Sequence, residues 1–166
     1  MQIGRWSVVY KRILVPVDGS PTSTAGLREA LKLAKNQRAR LRLLHVVNEM
    51  IVFNTPESSI NIARLVKALD RSGKRLLGKA GKLALSKDIK AESELWENAG
   101  GRVADVIVER AKRWRADLIV MGTHGLHGVK RMLMGSDAEL VVRNAVVPVL
   151  LVRAGRPSAN SRKKQK

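Results

Sequence analysis

The sequence predicts a three-layer α/β fold, a doubly wound sheet of five parallel strands covered by helices on both faces. Short apolar runs rich in β-branched residues alternate along the chain with segments whose apolar residues recur at helical spacing. Residues 118–121 are continuously apolar, as expected for a central parallel strand that helices cover on both faces. A length of 166 residues with 45% hydrophobic content suits a single core. We therefore expect one domain over residues 1–153, with right-handed crossovers between strands.

The five strands are bounded by turn-forming residues. The first ends in the run 13–17 and meets an Asp-Gly-Ser-Pro breaker. The last contains Pro148, which belongs at a strand start or a sheet edge because it cannot donate a ladder hydrogen bond. Strands are predicted over residues 8–17, 41–47, 91–96, 117–121 and 147–152.

The helices are placed by their caps and apolar stripes. Ser20 as N-cap and Pro21 in the first turn predict the start of the first helix. After a loop over 48–56, a long amphipathic helix is expected from Pro56, bent or broken at its glycines Gly73, Gly78 and Gly81. Helical spacing over 103–114 predicts the third helix. A capping-box pattern over 136–139 predicts Ser136 as N-cap of the last.

The formal net charge of +18 is concentrated in two segments. Residues 154–166 are basic and rich in Gly, Pro, Ser and Asn, so they are expected to form a disordered tail. Residues 61–90 contain nine basic and two acidic residues, on the solvated side of the long helix. Such surfaces attract polyanions. Because no aromatic residues are interleaved for base stacking, any nucleic-acid binding is expected to involve phosphates alone and to be weak at physiological salt.

Several classes of protein are disfavoured by what the sequence lacks. Without cysteine it has neither disulfides nor thiolate metal sites, which fits a cytoplasmic protein, and we expect no signal peptide and no membrane span. It contains neither a P-loop motif nor a dinucleotide-binding G-x-G-x-x-G after a strand. His124 and His127 lack a nearby carboxylate and are expected to be solvated rather than metal-bound. With no nucleophile motif and no group placed to activate water, catalytic residues are not identified and fast turnover is not expected.

One glycine-rich segment carries the candidate chemistry. Gly122 and Gly125 follow the fourth strand, and Gly135-Ser136 precede the last helix. Glycine permits close backbone approach to a phosphate, and a helix N-terminus favours anions. Asp18 ends the first strand, and ligands of doubly wound sheets bind beyond such strand ends. The alternatives are that the glycines only form turns, that Ser136 caps its own helix, and that Asp18 only shapes its turn.

Over residues 10–153 the chain resembles the universal stress protein family. The first strand and the run 44–47 are similar to that family's first two strands, and the spacing G-x2-G-x9-G-[ST] is similar to the signature of its ATP-binding branch. The resemblance implies strand order 3-2-1-4-5 in a fold like that of the adenine nucleotide alpha hydrolases. It also implies a homodimer joined through the last strand.

The resemblance further implies where ATP would lie. Adenine would contact the backbone near Pro16, Val17 and Val46. Ribose and phosphates, with Mg²⁺ or Mn²⁺ on the phosphates, would lie near Asp18, Met121, Gly122, Gly125, Gly135, Ser136 and Asp137. Three hypotheses follow: an ATP-dependent regulator of a stress response, a slow ATPase using the same cleft, and a polyanion-binding protein acting through the basic helix and tail.

Overall fold

Five strands and four helices make up the described part of the chain. The computed structural model describes residues 10–48, 59–98, 100–124 and 134–154. The strands are β1 Arg12–Pro16, β2 Arg40–Asn48, β3 Ala91–Asn98, β4 Leu118–Gly122 and β5 Val149–Val152. The helices are α1 Pro21–Gln37, α2 Ser59–Leu85, α3 Val103–Trp114 and α4 Ser136–Asn144.

The strands form one parallel sheet in the order β3-β2-β1-β4-β5, which confirms the predicted fold class. The chain winds outward from β1 through β2 to β3, then crosses back to β4 on the other side of β1. The strand order therefore reverses between β1 and β4. In doubly wound sheets the connections diverge at this point and leave a crevice at the carboxyl ends of the strands.

Helices cover both faces of the sheet. On one face, α1 and α2 pack over a core that includes Ile13, Val15 and Leu41. On the other, α3 and α4 pack over Leu14, Leu44 and Ile119. The alternation of β1 side chains between the two cores is the period of two that a strand buried on both faces requires. No helix in the described ranges is both long and apolar enough to cross a membrane.

The long helix α2 is continuous over 27 residues, so the expected break at its glycines is wrong. A side chain at Gly73 would lie 2.7 Å from His45 and from Leu95, which shows how closely this turn of α2 packs on the sheet. A Cβ at Gly78 would meet nothing within 4 Å, so that glycine faces open space. Tertiary packing of the apolar side therefore overrides the low helix propensity of glycine.

The ends of three other elements differ from the prediction. α4 begins at Ser136 with Gly135 as its N-cap, and no side chain caps it, so the predicted capping box is wrong. β4 begins at Leu118, one residue later than predicted, and the carboxylate of the preceding Asp117 accepts backbone hydrogen bonds from Lys11 and Arg12, at 2.8 and 3.0 Å. β5 begins at Val149, two residues later than predicted, and Pro148 directly precedes it at the sheet edge where that proline was expected. The predicted loop over 48–56 and the tail lie almost entirely outside the described residues.

Candidate functional site

The turn after β1 is held by three reciprocal hydrogen bonds. An Asp18 carboxylate oxygen accepts from the Ser20 N–H at 2.8 Å. The Ser20 hydroxyl caps α1 by accepting from the Ser23 N–H at 3.1 Å, as predicted for the N-cap. The Ser23 hydroxyl in turn accepts from the Asp18 N–H at 3.2 Å. Gly19 completes the turn at φ 85°, a conformation that favours glycine. Asp18 thus has the turn-shaping role that the sequence left open, and its side chain stays partly exposed at the strand end.

The end of β4 lies directly against the first turn of α1. A Cβ placed on Gly122 would lie 2.6 Å from the Thr22 carbonyl carbon and 2.7 Å from the Ser23 nitrogen. A Cβ on Gly26 of the same helix would lie 3.1 Å from the Gly122 nitrogen. The Thr22 hydroxyl donates a short hydrogen bond to the carbonyl of His124, just beyond β4. Gly122 is therefore required by helix packing.

The two valines proposed for the adenine site have different backbone surroundings. Both polar groups of Val17 have protein partners: its N–H donates to the Leu44 carbonyl at 2.8 Å, and its carbonyl lies 2.7 Å from His45 Nδ1. Residues two apart on a strand direct their N–H and C=O groups the same way. The Leu44 carbonyl is directed towards β1, and Leu44 pairs with Pro16, the last residue of β1. The backbone groups of Val46, two residues further along β2, are therefore directed to the same side, beyond the last paired residue of β1. Val46 is also partly exposed, whereas Val17 is buried.

The N-terminus of α4 faces the same crevice. The Gly135 N–H is already bonded to the Thr123 carbonyl at 2.9 Å, which ties the start of α4 to the end of β4. Ser136 and Asp137 occupy the first turn, where helix N–H groups lack intrahelical acceptors. Since no side chain caps this turn, the Ser136 hydroxyl is not engaged as an N-cap. The helix dipole makes the turn favourable for an anion.

Asp137 is electrostatically coupled to Asp18. Desolvation by surrounding protein raises the pKa of Asp137, an N–H donor at Ala104 lowers it, and the negative charge of Asp18 raises it further; the net direction is upward. The side chain of Asp137 nevertheless reaches solvent. The fold thus brings two carboxylates, from the ends of β1 and the start of α4, to one side of the crevice.

The structure brings together most of the residues predicted for the site. Pro16 ends β1 and is followed by Val17 and Asp18, Met121 and Gly122 end β4, and the start of α4 is tied to the end of β4 by a hydrogen bond. Gly125 and His127 lie outside the described residues, so their predicted roles stay predictions. Sequence reasoning missed Thr22, whose hydroxyl connects α1 to the His124 carbonyl. The sequence feature that could have indicated this contact is a hydroxyl residue in the first turn of α1. Among the described residues, no cluster of three or more His, Cys, Asp or Glu side chains could hold a metal ion.

Comparison with known proteins identifies the family. The profile of the universal stress protein family matches residues 9–153. The chain belongs to this family. Among its relatives is universal stress protein MJ0531 of Methanocaldococcus jannaschii, 38% identical over 146 residues that cover 87% of this chain and 83% of the relative.

Solved universal stress protein structures share the fold. One from Burkholderia pseudomallei is 33% identical, with a TM-score of 0.70, and the match covers 87% of this chain and 96% of that one. A universal stress protein from Archaeoglobus fulgidus, solved in complex with dAMP, has a TM-score of 0.60 and 24% identity, covering 87% of this chain and 98% of that one. At that identity the second likeness concerns the fold alone.

Proposed function

We propose that this universal stress protein binds ATP at the crevice between β1 and β4 and acts in the cytoplasm as a nucleotide-dependent regulator of a stress response. The observation that carries the proposal is the first turn of α4, which has no side-chain cap and is tied to the end of β4 where the strand order reverses. Such a turn supplies N–H donors and a favourable dipole for phosphate. The Archaeoglobus fulgidus protein, which shares the fold, was solved in complex with dAMP, and we extend its ligand class, an adenine nucleotide, to this chain as part of the proposal.

Each part of the nucleotide has a suitable partner. The Val46 backbone groups, directed past the end of β1, suit the polar edge of adenine. The Ser136 hydroxyl and the first N–H groups of α4 suit the phosphates, with Gly125 contributing from the intervening segment. Asp18 and Asp137 can accept hydrogen bonds from ribose hydroxyls.

A divalent cation fits the charge of the site. Two coupled carboxylates would repel a triphosphate, and Mg²⁺ or Mn²⁺ between them would offset that repulsion. Mg²⁺ typically takes one or two carboxylates and completes its shell with phosphate oxygens and water. The pair Asp18 and Asp137 meets that requirement without a dedicated cluster of ligand side chains.

Thermal unfolding with and without MgATP tests the proposal. A ligand at 100 times its Kd stabilises the folded state by about 2.7 kcal/mol. For a domain of this size the Tm should rise by about 5–10 °C. Ser136→Ala should reduce the rise, whereas Ser72→Ala, on the exposed side of α2, should leave it unchanged. A melting curve unmoved by millimolar MgATP would overturn the proposal, and native mass spectrometry of fresh protein would identify any retained nucleotide.

We further propose that β5 pairs with its copy in a homodimer. β5 is an edge strand whose Leu150 is 37% exposed, and Val142 and Val146, which precede it in the chain, are 45% and 78% exposed. The opposite edge strand, β3, carries Glu92 and Glu94 in ion pairs with Arg42, a charged edge that discourages pairing. An apolar edge without such charges suits isologous pairing about a two-fold axis.

A further inference from the structure

The two helical layers of the protein carry very different charge. α1 and α2 on one face of the sheet have three and seven basic residues, with one acidic residue each. α3 and α4 on the other face have three and one basic residues, with two acidic residues each. The first layer thus holds ten basic against two acidic residues, and the second holds four against four.

The basic residues of α2 form one continuous face. All seven are exposed, and the apolar side of the helix, including Leu77 and Ala80, is buried against the sheet. At 3.6 residues per turn they fall within about 140° of the helix circumference and extend over about 27 Å of its axis. They are Arg64, Lys67, Arg71, Lys74, Arg75, Lys79 and Lys82.

Most of these cations have no acidic partner within the described ranges. Lys74 alone does, with Asp70 at 2.9 Å. On the opposite layer Arg113 pairs with Glu109 at 2.7 Å and Arg143 with Glu139 at 3.0 Å. The positive charge on α2 is therefore uncompensated over a length of several helical turns, as a surface that meets an extended polyanion requires.

We propose that this surface binds the phosphate backbone of double-stranded DNA without reading its sequence. The basic face consists of the seven exposed cations of α2. In the same layer α1 adds the exposed Arg28, Lys32 and Lys35, of which Lys32 pairs with Glu29 at 2.9 Å and Lys35 with Asp88 at 3.9 Å. Duplex DNA carries about one phosphate per 1.7 Å of axis with both strands counted, so a length of about 27 Å contains about 16 phosphates, of which those on the near side can meet the basic face.

Two features favour the duplex over other polyanionic partners. Neither α1 nor α2 contains an aromatic residue, so the face offers no platform on which single-stranded bases could stack. The apolar side of α2 packs on the core through Leu77, Ala80 and Ala84, and the two exposed large apolar residues of this helix, Leu65 and Leu85, are too few to form an apolar face that enters an anionic membrane. The remaining chemistry, a row of cations on a rigid helix, matches contacts to backbone phosphates.

Two triple variants of the full-length protein with equal loss of charge test the proposal. One carries Arg71→Gln, Arg75→Gln and Lys79→Gln on the basic face. The control carries Arg102→Gln, Arg113→Gln and Arg143→Gln on the opposite layer. The Kd of the wild type and of each variant for a fluorescent duplex is measured at salt concentrations between about 50 and 200 mM. The slope of log Kd against log salt concentration gives the number of phosphate contacts. Circular dichroism verifies that both variants are folded.

The basic-face variant should lose about 2–3 units of slope, since each phosphate contact contributes about 0.9, and the control should match the wild type. Affinity should not depend on sequence, and it should be modest at physiological salt, with Kd of about 10⁻⁴ to 10⁻⁶ M. Equal slopes for the two variants, no binding by the wild type at low salt, or tighter binding to phosphatidylserine vesicles than to duplex would each overturn the proposal.

Discussion

Replacing Gly122 by alanine should destabilise the protein even in the absence of any nucleotide. The new Cβ would lie 2.6 and 2.7 Å from backbone atoms of Thr22 and Ser23, distances that real Cβ atoms do not adopt. Backbone atoms cannot rotate away as a side-chain tip can, so α1 must shift relative to β4. Overpacking of this kind costs about 1–3 kcal/mol, and a backbone contact belongs at the upper end.

The matched control is Gly78→Ala. Its Cβ would meet nothing within 4 Å on the exposed side of α2, so only helix propensity changes. Alanine is favoured over glycine there by about 0.5–1 kcal/mol. The two substitutions are chemically the same and should have opposite signs.

Thermal and urea unfolding at one protein concentration measure both effects. At about 2–4 °C for each kcal/mol, Gly122→Ala should lower the Tm by about 6–12 °C, and Gly78→Ala should raise it by about 1–4 °C. A Tm for Gly122→Ala close to that of the wild type would refute the packing argument. Gly122→Val, expected from the sequence to block phosphate approach, therefore cannot test binding alone, and Ser136→Ala is the cleaner variant.

Three further outcomes are expected. Leu150→Glu should convert a dimer to a monomer in light scattering, whereas Ser93→Glu on the opposite edge strand should not; equal effects would remove β5 from the interface. Because the pKa of Asp137 is raised above 3.8 in the folded state, the folded protein holds that proton more tightly, and this stabilisation is lost as pH rises through the raised pKa. Asp137→Asn should therefore be more stable than the wild type at neutral pH, with a difference that shrinks in acid; a pH-independent difference would contradict the raised pKa. Deleting residues 154–166 should leave the MgATP-induced rise in Tm intact, because no proposed cleft residue lies beyond Asp137, and should flatten the salt dependence of DNA binding; a lost MgATP response would show that the tail belongs to the site.

Short sequence patterns correctly predicted features that depend on neighbouring residues, such as buried strands and the cap of the first helix. Residues 13–15 are fully buried, as their continuous apolar run indicated. The Ser20 cap and Pro21 were found because a cap is chosen by its immediate neighbours. The resemblance to universal stress proteins then supplied the strand order, which local patterns could not provide.

Contacts between distant segments account for most of what sequence reasoning missed. The N-cap of α4 is Gly135 and not the predicted Ser136, and the Gly135 N–H is bonded to the carbonyl of Thr123, a residue twelve positions earlier in the chain. Arg110 lies in the apolar stripe of α3, where it pairs with Glu94 and stacks over Trp96 at 4.4 Å. α1 and α3 end at Arg38 and Arg115 in left-handed conformations, without the glycine that normally marks such an end.

The glycine motif of this chain combines two different physical requirements. Gly122 must lack a side chain because α1 crosses the end of β4 at contact distance, and this holds whether or not a nucleotide is present. Any chain with the same approach of α1 to β4 needs glycine at this position, so Gly122 by itself reports the packing of the fold. Ser136 and Asp137 have no such packing demand: both reach solvent on a helix turn without a side-chain cap. Their variants, more than those of the glycine, will therefore decide whether the crevice between β1 and β4 is a nucleotide site.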